Sequence, residues 1–238
     1  MQEIGQVLMP SVSQASNLHT AKPSTIKGCG VCKARPANGL NGLVCLPCYR
    51  KMEFEKLPPE QKRARWLDTV PERYVVAELE DLPEKLQAVF REDIDDGVFL
   101  WGSPGAGKTY AMAALAKRYI ADGFTVRRTH YEMLCLQIRD TYNPKATQTE
   151  WGMIGPLLNC DKLFIEDVGV SRRVGKEESD HSTRTLQVLI DMRLEHCRPT
   201  FVTSNKSIES LSQSFDERIG DRLRLFHIFR MTSPSKRQ

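Results

Sequence analysis

The chain has 238 residues, of which 40% are hydrophobic and 27% charged, with a formal net charge of +4. This composition is ordinary for a soluble globular protein, and the length allows one full α/β domain with a small additional module. The sequence lacks both the roughly 18-residue apolar run that a membrane-spanning helix needs and a secretory signal, so we expect a cytoplasmic protein without membrane contact, whose cysteines stay reduced.

The N-terminal region is polar and then basic. Residues 1–26 are rich in Ser, Thr, Gln and Asn and are predicted to form a flexible tail. Between residues 22 and 65, ten Lys or Arg stand against three Asp or Glu. Such a segment suits contact with a polyanion, although a solvated basic surface explains the charge equally well.

Residues 27–56 are predicted to form a small metal module. Cys29, Cys32, Cys45 and Cys48 have the spacing C-x2-C-x12-C-x2-C, which suits the tetrahedral thiolate cage that Zn²⁺ prefers. A segment of this size would hardly fold without its metal, so a structural zinc ribbon or treble clef is expected. An iron–sulfur cluster is the chemical alternative. Nucleic acid and protein remain equally open as its binding partner.

After a linker and helix at residues 57–80, strands and helices alternate through a main domain at 81–238. The alternation predicts an α/β fold with a parallel sheet flanked by helices. The isolated cysteines of this domain read as core thiols: Cys135, Cys160 and Cys197. Predicted strands lie at 97–101, 124–129, 162–167, 200–205 and 226–231, and predicted helices at 112–120, 131–140, 151–158, 183–197 and 214–225.

The stretch FLWGSPGAGKTY reads G-x-x-x-x-G-K-T and predicts a phosphate-binding loop. Its glycines allow the backbone N–H groups to approach a nucleoside triphosphate, with the following helix N-terminus assisting. Lys108 would neutralise phosphates, and the Thr109 hydroxyl would ligate Mg²⁺. The predicted ATP-binding residues are Gly102, Ser103, Pro104, Gly105, Ala106, Gly107, Lys108, Thr109 and Tyr110.

Two later strands end in polar residues at the same predicted sheet edge. LFIEDVG ends in Glu166 and Asp167, of which one carboxylate should support Mg²⁺ and the other should orient or deprotonate water. TFVTSN ends in Asn205, whose amide could hold a water near the terminal phosphate. These residues, together with the phosphate-binding loop, predict a nucleotide-hydrolysing site.

The order of the phosphate-binding loop, LFIEDVG, PTFVTSNKS and ERIGDRLR resembles that of AAA+ ATPases of the DnaC/DnaI helicase-loader and IstB transposition-helper family, over roughly residues 66–237. By position, the resemblance implies that Lys108 and Thr109 form the Walker A pair. Glu166 would then be the magnesium-side Walker B acid, Asp167 its water-activating partner, and Asn205 sensor 1. Arg222 matches the arginine finger best, with Arg218 second. Sensor 2 would fall near Arg237, where SPSKRQ departs from the usual pattern.

The resemblance further implies homo-oligomers joined through the arginine finger, which load a replicative hexameric helicase onto single-stranded DNA. The order Glu166-Asp167 puts the shorter acid in the water-activating position and predicts slow hydrolysis. An IstB-like regulator of transposition is the alternative. A P-loop small-molecule kinase is disfavoured by the TSN strand and the arginine-rich helix. Candidate DNA contacts, or an ordinary solvated face, are Arg127, Arg128, Arg139 and Lys145.

Overall fold

A computed structural model describes residues 28–38, 43–169 and 179–232. Contacts divide the chain into two units, Met1–Cys45 and Leu46–Gln238. The predicted N-terminal tail and Arg237 lie outside the described residues. No helix in the described part of the chain is both long and apolar enough to cross a bilayer.

The second unit is built on a five-stranded sheet in which every pair of neighbouring strands is parallel. The spatial order is β2-β3-β4-β1-β5. This order brings the carboxyl ends of β1, β3 and β4, where the nucleotide motifs lie, to one edge of the sheet. The strands are β1 (Gly97–Gly102), β2 (Val126–His130), β3 (Lys162–Val168), β4 (Thr200–Ser204) and β5 (His227–Met231).

Helices connect the strands and cover both faces of the sheet. The parallel sheet between two layers of helices confirms the predicted fold class. In chain order the helices are α1 (Leu46–Glu55), α2 (Pro59–Leu67), α3 (Glu84–Arg91), α4 (Lys108–Ala121), α5 (Tyr131–Asp140), α6 (Glu150–Asn159), α7 (Asp180–Glu195), α8 (Ile208–Ser214) and α9 (Glu217–Leu223).

Alternate residues of the central strands fill two separate cores. Leu100 and Phe164 belong to the core beneath α3 and α4, whereas Phe99 and Ile165 belong to the core beneath α5 to α9. This follows from the period-two geometry of a strand, in which successive side chains point to opposite faces. Sequence runs such as VFL and LFI are apolar throughout because both faces of these strands are buried.

The segment predicted as a linker is packed into the first of these cores. Val70, Val75 and Ala77 are buried there. The ammonium of Lys117 on α4 donates to the carbonyls of Val75 and Ala77 at 2.7 and 2.8 Å. A buried ammonium needs such partners to offset the loss of water, so this segment is fastened to the helix that follows the phosphate-binding loop.

The helix predicted at 214–225 corresponds to α9, which spans only Glu217–Leu223, and a separate helix that was not predicted, α8, precedes it. Helix α8 ends at Ser214, and α9 begins after Asp216, whose carboxylate accepts the backbone N–H of Arg218 at 2.8 Å. Phe215, between them, has a ψ of −83° that interrupts the helical path. Asp is a favoured residue immediately before a helix because it satisfies a free N–H, and this local signal marks the break.

Candidate functional site

The phosphate-binding loop lies between β1 and α4, as predicted. Gly102, Gly105 and Gly107 have φ values of 147°, 83° and 92°, which residues with a Cβ rarely adopt. A Cβ on Gly102 would also lie 2.2 Å from the carbonyl oxygen of Met231. Glycine is therefore required here for both backbone conformation and space.

The ammonium of Lys108 has three short hydrogen bonds. It donates to the carbonyls of Gly102 and Ser103 at 2.8 and 3.0 Å and to Oδ1 of Asn205 at 2.7 Å. Lys108 and Asn205 are 97 positions apart in the chain. The structure thus brings the predicted Walker A lysine and the predicted sensor 1 amide into direct contact.

A cavity of about 790 Å³ opens at this loop, a size within the usual range for small-molecule sites. Of the nine predicted ATP-binding residues, Pro104 to Tyr110 line the cavity, and the remaining two, Gly102 and Ser103, hold Lys108. The other lining residues are Arg73, Tyr74, Asp81, Leu82, Pro83, Asp167, Asn205 and Met231.

One wall of this cavity was not predicted from the sequence. It comes from the segment before α3 and includes Arg73, Tyr74 and Asp81. The hydroxyl of Tyr110 donates to the carboxylate of Asp81. Burial and this neighbouring carboxylate raise the pKa of Tyr110, so the hydroxyl stays protonated as a donor. The sequence carries one signal for this wall, because Tyr110 directly follows the phosphate-binding loop and has a hydroxyl that can bind a neighbouring segment.

Asp167 reaches the cavity through an irregularity in β3. The pairing register of β3 with β4 shifts between Ile165 and Val168, and Asp167 has a φ of 57°. Its N–H donates to Oγ1 of Thr203 at 3.0 Å, and its Oδ2 lies 3.2 Å from Nε2 of His130. This bulge re-aims one carboxylate of the pair, as bulges near active sites commonly do.

The side chain of Glu166 is bound by Arg128 and not by a residue of the cavity. Its side chain is 3% exposed, and its two carboxylate oxygens accept hydrogen bonds from Nε and Nη2 of Arg128 at 2.7 and 2.8 Å. It is not among the described residues that line the cavity. The two neighbouring acids that the sequence predicts to act together are therefore separated. Arg128, a candidate DNA contact by sequence, is the partner of Glu166.

The predicted arginine fingers lie on α9, outside the cavity lining. Nε of Arg222 donates to Oδ1 of Asp191 on α7 at 2.9 Å. Arg218 is exposed, and no ion pair of its side chain is found within the described residues. A finger that serves a neighbouring subunit must lie outside its own nucleotide site, and neither arginine is among the described residues that line the cavity.

The four cysteines predicted to bind zinc come together. Their sulfur atoms all lie within 4.8 Å of one another, and Val31 donates its N–H to Sγ of Cys29 at 3.4 Å. Burial opposes ionisation of Cys29, but backbone N–H groups of Cys45, Cys32 and Val31 outweigh it and lower its pKa to about 6. A thiolate is the form that binds metal, so this donor set fits Zn²⁺.

Comparison with known proteins places these features in a family. A family model described as "IstB-like ATP binding protein" matches residues 80–229. The replicative helicase loader DnaC of Escherichia coli K12 is 28% identical over 124 residues, which are 52% of this chain and 48% of that protein. DnaC of Buchnera aphidicola (strain Bp) is 29% identical over the same length. The chain thus spans about half the length of these curated relatives.

Solved structures with similar folds include DnaI and the DnaC helicase loader. The DnaI structure has a TM-score of 0.57 at 21% identity and covers 70% of this chain and 94% of its own. The DnaC structure has a TM-score of 0.57 at 17% identity and covers 68% and 99%, respectively. At these identities the likeness shows the fold.

Proposed function

The chain belongs to the AAA+ family of IstB-like and DnaC-type ATP-binding proteins, and on that premise we propose that it is an ATPase that loads a replicative helicase onto single-stranded DNA. The contact between Lys108 and Asn205 beside the cavity carries the nucleotide part of this proposal. The helicase part is supported by the relatives named as replicative helicase loaders.

The residues around the cavity suit recognition of a triphosphate. The loop's backbone N–H groups and the N-terminal end of α4 favour bound phosphate oxygens. Lys108 would exchange its two carbonyl partners for phosphate oxygens, keeping a cation against the charge that develops on the phosphoryl group. The contact of Asn205 with Lys108 supports a role for its amide in holding a water beside that phosphate.

Hydrolysis requires a carboxylate that can orient the attacking water. Asp167 lines the cavity, and its contact with His130 limits where its carboxylate can point. Thr109 also lines the cavity, and a hydroxyl and a carboxylate are ligands that suit Mg²⁺. When bound, this ion would neutralise phosphate charge. Because Asp167 is one methylene shorter than Glu, we propose that ATP hydrolysis is slow. Slow hydrolysis suits a protein in which bound ATP sets how long an assembly lasts.

We further propose that an arginine from a neighbouring copy of the chain contacts the bound ATP. This is supported by the position of Arg218 and Arg222 on α9, because neither is among the described residues that line their own cavity. An arginine supplied in this way stabilises charge in the transition state. The four-cysteine module, with Zn²⁺ as its structural metal, is the part proposed to contact the helicase or the DNA.

The proposal is tested by assembly and capture with the full chain. With a non-hydrolysable ATP analogue and a single-stranded oligonucleotide, we expect oligomers in light scattering and retention of a hexameric replicative helicase on the immobilised protein. Lys108→Ala is the control and should show neither. A chain that stays monomeric and captures no helicase under every nucleotide and DNA condition contradicts the proposal.

A regulator of DNA transposition is the second candidate, because the matching family model bears the IstB-like description. The same preparation distinguishes the two. ATP-dependent stimulation of strand transfer by a transposase, without capture of a helicase, would replace the first assignment by the second.

A further inference from the structure

The two neighbouring acids of β3 have different partners. Strands β2 and β3 pair in parallel, with Arg128 opposite Phe164 and His130 opposite Glu166. Side chains two positions apart on a strand point to the same face. Arg128 and Glu166 therefore share the face on which Phe164 packs beneath α4, and there they form the bidentate pair.

This pair occupies both oxygens of the carboxylate. The planar guanidinium matches a carboxylate in shape, so Arg128 can donate one hydrogen bond to each oxygen of Glu166, at 2.7 and 2.8 Å. Arginine stays charged at any accessible pH. Each oxygen keeps a second lone pair, but the Glu166 side chain is only 3% exposed. A divalent cation at Glu166 would therefore compete with the guanidinium, and weakening this pair in a mostly buried position is costly.

Asp167, by contrast, is presented to the nucleotide cavity by the β3 bulge. A divalent cation bound with the triphosphate thus finds Thr109 and Asp167 among the residues that line the cavity, whereas Glu166 is engaged with Arg128. The resemblance implied that Glu166 serves the metal and Asp167 the water, whereas Asp167 is the one of the two that lines the cavity, so in the proposed function it would meet both. This chain has Glu before Asp where the family motif begins with Asp. The same two residues are the ones whose contacts differ from what the resemblance implies.

We propose that Arg128 is a positioning residue that withholds Glu166 from divalent metal and leaves Asp167 as the carboxylate that faces Mg²⁺ and the triphosphate. This inference rests on the proposed ATP binding. It assigns to Arg128 a role inside the nucleotide site in place of the DNA contact that its charge suggested. Removing the guanidinium frees Glu166 and adds a second carboxylate for the metal.

The test compares Mg²⁺ dependence in five proteins: wild type, Arg128→Gln, Glu166→Gln, Arg128→Gln/Glu166→Gln and Asp167→Asn. Binding of a fluorescent ATP analogue is titrated with Mg²⁺. Arg128→Gln should lower the half-saturating Mg²⁺ concentration roughly three- to fivefold, the net strength typical of a partly exposed ion pair. The double variant should return the half-saturating Mg²⁺ concentration to the wild-type value, because Glu166→Gln removes the carboxylate that Arg128→Gln frees. Asp167→Asn should raise it more than Glu166→Gln does.

Two controls keep the result interpretable. Arg127→Gln changes the same charge on the exposed neighbour in β2 and should leave the Mg²⁺ midpoint unchanged. Thermal melting identifies any variant that has lost its fold. The double variant also addresses this risk, because two neutral amides replace the pair without leaving a buried charge.

A second measurement needs no nucleotide. Mn²⁺ binding to the nucleotide-free proteins, followed by electron paramagnetic resonance, should be stronger in Arg128→Gln than in wild type. If wild type binds no ATP, the proposed function fails while this comparison still tests Arg128. The inference is overturned if Arg128→Gln changes neither metal measurement, or if Glu166→Gln weakens metal binding as much as Asp167→Asn does.

Discussion

The ammonium of Lys108 lies 2.7 Å from Oδ1 of Asn205, although the two residues are 97 positions apart in the chain. Two backbone carbonyls of the phosphate-binding loop also accept hydrogen bonds from this ammonium. In this arrangement the lysine is already directed at the place where a phosphate would bind. Asn205 holds the lysine, and in the proposed function it would also lie beside the reacting phosphate.

Asn205→Ala should separate these two contributions. We expect ATP affinity to change only a few-fold, since the loop and Lys108 remain, while the hydrolysis rate falls about 100-fold through loss of one aligned polar group. Fluorescent nucleotide binding and phosphate release measure the two quantities. Lys108→Ala is the matched variant that should abolish binding itself. Unchanged hydrolysis in Asn205→Ala would remove this residue from the catalytic site.

Asp167→Glu should accelerate hydrolysis. The added methylene moves the carboxylate further into the cavity, and a displacement near 1 Å can be worth on the order of 100-fold in rate. We therefore expect a gain of about tenfold in single-turnover phosphate release, with Asp167→Asn nearly inactive yet still able to bind ATP. A wild-type protein that already hydrolyses ATP at tens per second would contradict the assignment of a short, poorly placed acid.

The arginine finger can be identified by mixing inactive proteins. Lys108→Ala lacks ATP binding, and Arg222→Ala should bind ATP but lack hydrolysis. If the arginine acts across a subunit boundary, the mixture regains activity, because one interface then combines an intact cavity with an intact finger. The same mixing with Arg218→Ala shows which arginine acts.

Asp191 supplies a control for this experiment. It accepts from Arg222 at 2.9 Å within the chain, and a finger would have to leave it. Asp191→Asn should therefore raise the activity of assembled protein modestly if Arg222 is the finger, and should have no effect if Arg218 is.

Gly123→Ala should destabilise the protein strongly. Gly123 has a φ of 84°, and a Cβ there would lie 2.1 Å from the carbonyl oxygen of Pro47 and 2.7 Å from the N of Lys51, both on α1. We expect a loss of about 2 kcal/mol or more, from backbone strain and displacement of α1 together. Thermal or urea unfolding measures it. Gly155→Ala, whose nearest neighbour would be at an ordinary 3.9 Å, should change stability little.

Metal removal should affect the four-cysteine module and spare the nucleotide site. Purified protein should carry about one zinc, and Cys32→Ser should lose it because four thiolates are needed to close the tetrahedron. ATP binding should persist, since none of the four cysteines is among the described residues that line the cavity. Zinc is quantified with a chromogenic chelator. Cys197→Ser is the matched control, because this thiol lies outside the cluster and, contrary to the expectation of a core thiol, is exposed. A visible absorption band would instead indicate the iron–sulfur alternative.

Features encoded by short spacing were predictable from the sequence, and features that arise from distant pairing were not. The glycines around Lys108, the four cysteines and the apolar strands follow local rules of backbone geometry and periodicity. By contrast, the Arg128–Glu166 pair depends on the register of β2 against β3, which no local pattern specifies. Helix α8 was missed because only two of its seven residues, Ile208 and Leu211, are large and apolar, which leaves little helical periodicity to detect.

The attachment of the segment around Val75 to Lys117 determines where this protein can be cut. A shortened version that starts at residue 80, where the family match begins, would retain every nucleotide motif but lose Arg73 and Tyr74 from the cavity and leave the Lys117 ammonium without its two carbonyl acceptors. Domain dissection guided by motifs alone would therefore underestimate nucleotide affinity. Deletions that keep the chain from Pro59 onward should preserve it.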